Sequence, residues 1–409
     1  MRNQPWHQNR FYRGMITNTT TAIWQSLNNT DLVCFSHLRW NFVYQRPQHL
    51  LSRFANCTRV FFIEEPLFND GPDKLHIEEP IKNVYVVVPQ LQHGYSEHEV
   101  INKQKDMISD LVSMKDITNY FAWYYTPMAL TFTDHLNPKM VVYDCMDELS
   151  AFKFAPAALK DNEKLLLEKA DIVFTGGYSI YEAKKHQHHN IYPFPSSIDK
   201  EHFGTARTLK SSPQDQSHIQ GPRFGFFGVL DERFDIELIE NVAKARPEWQ
   251  FILIGPIVKI DPATLPRFDN IHYLGGKDYK ELPAYVAGWD VAMVPFALNE
   301  STKYISPTKT PEYLAAGKPV ISTAIKDVVS PYGENKLVHI ANSAEDFIKC
   351  AETILKKKSH KRWLNKVDAF LEGNSWDRTW SQMAKHIDNK LVAKESIAFP
   401  NTTETAMAS

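Results

Sequence analysis

The sequence predicts an α/β protein of two doubly wound domains facing each other across a cleft. Three observations carry this prediction. Short apolar runs of strand length, most of them rich in Val, Ile, Phe or Tyr, recur from residue 31 onward. Helix-length segments separate several of them, and alternation of strand and helix argues for a parallel sheet covered on both faces. A polar stretch at 200–222 breaks the rhythm, and a second series follows it.

The elements follow in order. Residues 1–29 are polar and aperiodic and read as a flexible arm. They carry Arg2, Arg10 and Arg13 but no apolar segment of roughly 7–15 residues, which argues against a secretory signal. Strand runs come next at 32–35, 60–63, 84–88, 120–125, 140–143 and 172–174. Helical segments at 47–56, 127–135 and 156–170 each begin with proline, a residue suited to the first helical turn. These make a first domain, 30–199. Ser211-Ser212-Pro213, Gln214, Gln216, Ser217 and Gly221-Pro222 mark 200–222 as a linker. The second series has strands at 224–227, 251–254, 271–274, 291–295, 320–322 and 337–340, with helices at 236–245, 279–288, 308–316 and 344–355. It makes a second domain, 223–360. Two terminal helices are expected within 361–392. In the second of these Trp376, Trp380, Met383 and Ile387 share one face, so that helix must dock. Residues 393–409 read as a disordered tail.

Composition narrows the class. Among 409 residues, 46 Lys and Arg oppose 48 Asp and Glu, a net charge of −2 that gives no support to nucleic-acid binding. An apolar share of 43% excludes a disordered chain. The four cysteines, Cys34, Cys57, Cys145 and Cys350, are too dispersed for a Cys-x-x-Cys pair, so buried thiols in a reducing compartment are expected. No apolar stretch approaches the roughly 20 residues that span a bilayer. A cytoplasmic protein is expected. The basic run 356–362 is a candidate peripheral contact with anionic lipid, with a solvated helix C-terminus as the plainer reading.

In open α/β sheets, ligands bind where loops and helix N-termini converge at the carboxyl ends of the strands. The sharpest such segment runs from Ser306 to Thr323. Ser306 or Thr308 can cap its helix, Gly317 can end it in the left-handed conformation, and Pro319 cannot continue it. Free backbone N–H groups and the helix dipole favour a diphosphate there, and Lys309 adds a charge. Glu312 suits the two hydroxyls of a ribose. An ordinary strand–helix connection with a solvated Lys and Glu accounts for the local residues equally well.

Resemblance separates the two readings. The stretch Ser306-Pro307-Thr308-Lys309-Thr310-Pro311-Glu312-Tyr313-Leu314-Ala315-Ala316-Gly317-Lys318-Pro319-Val320 resembles the donor-binding helix of the GT-B nucleotide-sugar glycosyltransferases, the group marked by E-x7-E. It is most similar to a bacterial cell-surface polysaccharide subgroup. Ser36–Trp40 with Gln45–Leu50, Tyr143–Leu149 and Phe227–Asp235 resemble the same subgroup, so the likeness spans 31 to about 392. It implies a GT-B fold whose first domain binds the acceptor, whose second binds the donor, and whose terminal helices return to the first. It implies no cofactor, a UDP- or GDP-type sugar as co-substrate, and a glycan or lipid-linked acceptor. Glu312 matches the glutamate that binds the ribose, and Ser306, Pro307 and Thr308 match the diphosphate turn. Tyr304 stands where the family has its first glutamate, and with Asn299 and Thr302 it is expected to shape the sugar pocket.

The remaining site residues follow from position. Gly228 lets the chain pass close to a phosphate, and Arg233 can pair with it, or else with Glu232 or Asp235. Gly276 and Lys277 follow a strand and are candidates for reading the donor base. His37 follows the first strand and can contact the acceptor or act as a base. Asp147 and Asp144 end a strand and are candidate catalytic carboxylates, with Asp144 more suited to a structural turn. Trp40, Gln45 and Arg46 are candidate acceptor contacts, although Arg46 can equally hold Asp144 or Glu148. His186, His188 and His189 lack a completing ligand, and metal-free transfer is expected. A nucleotide-sugar 2-epimerase on the same scaffold and a non-catalytic nucleotide-sugar-binding subunit are the alternatives. A dinucleotide dehydrogenase lacks its G-x-G-x-x-G.

Overall fold

The computed structural model describes residues 25–357 and 359–398, so the expected arm over 1–24 and tail over 399–409 lie outside the described residues. The first domain has strands β1 (Asp31–Ser36), β2 (Val60–Glu64), β3 (Leu67–Asn69), β4 (Lys74–Ile81), β5 (Val84–Gln92), β6 (Tyr120–Tyr124), β7 (Val141–Cys145), β8 (Ile172–Thr175) and β9 (Ile191–Pro193). They are ordered β3-β5-β2-β1-β6-β7-β8-β9, and β4 lies antiparallel on β5. The second domain has β10 (Arg223–Phe227), β11 (Gln250–Ile254), β12 (Ile271–Tyr273), β13 (Val291–Val294), β14 (Val320–Ser322) and β15 (His339–Ile340). Its sheet is wholly parallel and ordered β12-β11-β10-β13-β14-β15. Counted from the first strand of the domain this is 3-2-1-4-5-6, the doubly wound order with a switch point beside strand 1.

The apolar runs are strands because both of their faces are covered. Successive side chains alternate across a sheet. Leu32, Cys34, Phe62, Trp123 and Phe174 pack on one face of the first sheet, and Val33, Phe35, Phe61, Tyr124 and Val173 on the other. Trp376, Met383, Ile387 and Leu391 of the terminal helix Trp376–Ala398 complete the first of these layers. Each is at most 1% exposed, so each contributes about 1.5–3 kcal/mol of burial to holding that helix on the first domain.

Several expectations are corrected. The polar stretch 200–222 contains helices Lys200–Gly204 and Gln214–Ser217 and belongs to the second domain, whose core includes Phe203, Ala206 and Ile219. Only one of the terminal helices returns: Lys361–Leu371 stays on the second domain through Val367 and Leu371, and the crossing follows it. Residues 393–398 continue the last helix, and 25–28 form a helical turn with Leu27 buried in the first domain's core. The helix Glu97–Met114 has too narrow an apolar face to register in the sequence, with only Gln104, Ile108 and Leu111 buried. The antiparallel β4 also makes the first sheet mixed.

Candidate active site

Both switch points open onto one cleft of about 3110 Å³ between the domains. β1 and β6 supply the first domain's side, β10 and β13 the second's.

The second domain's side is built around Gly228, which directly follows β10. Its φ of 145° is one that residues with a side chain rarely adopt. A Cβ at this position would fall 2.7 Å from the Lys309 ammonium, so the bare backbone is what lets that side chain lie across the turn. Gly255, which follows β11, matters equally. Its φ is 141°, and a Cβ there would stand 1.9 Å from the Gly228 carbonyl oxygen. In the sequence Gly255 is visible only as a glycine ending an apolar run.

The helix Lys309–Ala315 follows Ser306, Pro307 and Thr308, all three of which line the cleft. Gly317 ends it at a φ of 76°, and the Lys318 N–H returns to the Tyr313 carbonyl at 3.0 Å. The Tyr313 hydroxyl accepts the Phe227 N–H at 2.9 Å, which ties this helix to the residue before Gly228. Glu312 is 5% exposed and faces the cleft. Burial pushes the Lys309 ammonium down and the Glu312 carboxyl up from their ordinary ranges, while each charge draws the other back. The Thr310 hydroxyl is buried without a partner among the described residues.

Arg233 reaches the same region. Its guanidinium takes both oxygens of Asp231, with Nη2 to Oδ2 at 2.6 Å and Nε to Oδ1 at 3.0 Å. The ion pairs with Glu232 or Asp235 read from the sequence are therefore replaced by one with Asp231. Gly276 and Lys277 also line the cleft, and the Lys277 ammonium is held by Asp215 at 2.7 Å.

Asn299, Thr302 and Tyr304, expected to shape the sugar pocket, are not among the residues that line the cleft. The Asn299 Oδ1 accepts the Ser301 N–H at 3.0 Å and the Thr302 N–H at 3.2 Å, which curls the segment into a turn. Thr302 is buried and donates to the Ala297 carbonyl, and Tyr304 packs on the first domain's core. Phe296 and Ile305 line the cleft instead.

On the first domain's side, His37 and Asp147 line the cleft. The His37 Nδ1 is buried without a partner among the described residues. Burial, with the Lys259 charge second, lowers its pKa to about 4, so the ring is neutral near pH 7. Burial raises Asp147 to about 6, against the pull of Arg233 and Arg46. Of the alternatives read for Arg46 and Asp144, the structure shows the ion pair: the two form a buried pair, with Arg46 at the edge of the cleft and Asp144 corrected from a catalytic candidate. Arg46 donates from Nε to Oδ2 at 2.9 Å and from Nη2 to Oδ1 at 2.8 Å, and also holds the Phe194 carbonyl at 2.7 Å. Asp144 is 0% exposed, so no acceptor hydroxyl reaches it. Trp40 touches the cleft but is mostly buried against Phe62, and its backbone N–H donates to the Glu64 Oε1 at 2.7 Å. Gln45 caps a helix, its N–H meeting the Gln48 Oε1 at 3.0 Å. Sequence reading missed three exposed aromatics on this side, Phe42, Tyr44 and Phe154. Their signal is an apolar ring inside a polar loop after a strand.

His188 is structural, with Nε2 at 2.9 Å from the Ala170 carbonyl. Among the described residues no group of three or more His, Cys, Asp or Glu could hold a metal ion, and no helix is long and apolar enough to cross a membrane.

Residues 221–357 match the family model described as Glycosyl transferases group 1. The chain is 24% identical over 290 residues to TuaH of Bacillus subtilis (strain 168), described as a teichuronic acid biosynthesis glycosyltransferase, covering 64% of this chain and 70% of that one. Its fold is similar to sucrose-phosphate synthase from Thermosynechococcus elongatus, with TM-score 0.67, 15% identity, and coverage of 89% of this chain and 100% of that one. It is also similar to Anabaena HepE in complex with UDP and glucose, with TM-score 0.63, 14% identity, and coverage of 88% and 99%. The architecture is GT-B, and the second domain is that of a glycosyltransferase.

Proposed function

We propose that this GT-B glycosyltransferase moves a sugar from a nucleotide-diphosphate sugar to an acceptor hydroxyl during assembly of a cell-surface polysaccharide. The observation that carries the donor assignment is the meeting of Gly228, Lys309 and Glu312 in one cleft. A bare backbone turn beside an ammonium suits a diphosphate, and the buried carboxylate three residues on suits a ribose. The similarity to TuaH supports the polysaccharide setting, and HepE, solved with UDP and glucose, supports a UDP-type donor.

In the proposed reaction the acceptor oxygen bonds to the anomeric carbon of the sugar. The bond to the diphosphate breaks, and its electron pair stays on the leaving oxygen. Lys309 and Arg233 meet the charge that develops there. Asp147 takes the hydroxyl proton, since it lines the cleft and burial has lifted its pKa toward neutrality. Phe42 and Phe154 offer ring faces to a glycan acceptor, while the Tyr44 ring is stacked on Tyr279 with centroids 4.7 Å apart. A lipid-linked acceptor, with the basic run 356–362 touching anionic headgroups, belongs to the same proposal.

The test is release of nucleoside diphosphate from UDP- and GDP-sugars with and without glycan acceptors. Acceptor-dependent release, lost in Glu312→Ala, supports the reading. Conversion of the donor without acceptor, or binding without turnover on any acceptor, contradicts it.

A further inference from the structure

Phe152 belongs to the first domain and follows the short turn Leu149–Ala151, just after Asp147. Two cations of the second domain lie over its ring. The Arg233 guanidinium is 5.3 Å from the ring centroid and the Lys259 ammonium 5.5 Å. They come from different loops, one after β10 and one after β11. The next residue joins the contact, since the Lys153 N–H faces the Glu232 Oε1 at 3.4 Å.

The two cations differ in charge balance. Arg233 is neutralised by Asp231. Among the described residues no carboxylate forms an ion pair with Lys259, whose backbone takes the left-handed conformation at a φ of 62°. Lys259 lines the cleft and acts on His37 and on Glu65 across it. It thus brings a surplus positive charge to the junction of the domains. Two like charges at one point repel, but the negative face of an aromatic ring attracts both, and its apolar body keeps water off their flank.

We propose that Phe152 is a positioning residue that holds Arg233 and Lys259 toward the leaving diphosphate, so that the first domain sets the charge of the donor site in the second. The inference rests on the donor reading above and adds a residue from the opposite domain to it. Phe152 itself touches cations rather than reacting atoms, and a ring at this position is the requirement.

The experiment is calorimetric titration of UDP, GDP, ADP and TDP into wild type, Phe152→Leu and Phe152→Trp, repeated in a Lys259→Met background. Melting temperatures without ligand check that each variant is folded. The diphosphate that binds wild type is expected to bind Phe152→Leu about 5- to 10-fold more weakly and Phe152→Trp within about 2-fold. The loss from Phe152→Leu is expected to shrink when Lys259 is already Met. Equal binding by wild type and Phe152→Leu overturns the proposal while leaving the donor reading standing. So does a Trp variant as weak as the Leu variant, or a loss unchanged in the Lys259→Met background. Wild type that binds none of the four diphosphates overturns the donor reading and this proposal together.

Discussion

Lys309 occupies the space that a side chain at Gly228 would fill, its Cε 2.2 Å and its Nζ 2.7 Å from where a Cβ would stand. The first turn of one helix and the end of one strand are thereby closed on each other. In the proposed donor reading, the diphosphate meets backbone N–H groups and an ammonium in this one place.

Gly228→Ala tests that closure. The added methyl must displace Lys309, and the residue must hold a φ of 145° that alanine disfavours. Affinity for the preferred nucleoside diphosphate is expected to fall at least about tenfold, equivalent to about 1.4 kcal/mol. Calorimetric titration measures this, and undiminished affinity would remove the turn from the donor site.

Asp144 and Arg46 predict a change in stability rather than in chemistry. Asp144→Ala leaves a guanidinium 3% exposed without its carboxylate. Breaking a buried pair from one side costs about 3–5 kcal/mol. Urea denaturation should show a midpoint shifted down accordingly. A variant as stable as wild type would mean that the pair does not hold the β7 end in place.

The Asp147 carboxyl predicts a pH effect whose sign is opposite to that of an ordinary ion-paired acid. Its pKa is raised to about 6 in the folded chain, above the 3.8 of a free aspartate. The folded state therefore favours the protonated form. The stabilisation is full below about 4 and is lost as pH rises through about 6. Asp147→Asn is expected to be more stable than wild type at pH 7 to 8, by about 1–3 kcal/mol, and equal to it near pH 4. Denaturation curves across that range give the answer. The same substitution should abolish a limb of the transfer rate that rises through about pH 6.

His37 predicts the converse. Burial lowers its pKa from 6.5 to about 4. The stabilisation from keeping the ring neutral is present above about 6.5 and is lost as pH falls from there through 4. The His37 ring signals in a nuclear magnetic resonance titration should move near pH 4. Movement near 6.5 would place the ring in solvent rather than beside Lys259.

Much of this fold was legible because parallel strands covered on both faces carry their signal in four or five consecutive apolar residues. The runs 224–227 and 251–254 coincide with β10 and β11 within one residue. The helix Lys309–Ala315 was legible because Pro307, Pro311 and Gly317 punctuate it. The stretch 200–222 misled because its burial is carried by few residues. Gln216 is 0% exposed, with its amide on the Tyr285 carbonyl and the Trp289 ring N–H, contacts that composition does not reveal. Tyr304 and Asn299 have the chemistry of a sugar pocket, but an asparagine-driven turn points the segment elsewhere. The Arg46–Asp144 pair, one of the alternatives read from the sequence, forms across 98 positions, whereas Phe152 and Lys259 belong to different domains, so their contact could not be read from spacing.

The most direct test of the donor site is a thermal-shift titration of wild type and Glu312→Ala with UDP, GDP, ADP and TDP. At about 100 times its dissociation constant a ligand adds about 2.7 kcal/mol of stability, an effect easily read. One diphosphate is expected to raise the melting temperature of wild type and to raise that of Glu312→Ala much less. An equal rise in both proteins, or none in folded wild type with any of the four, would contradict the assignment of this cleft to a nucleotide-diphosphate sugar.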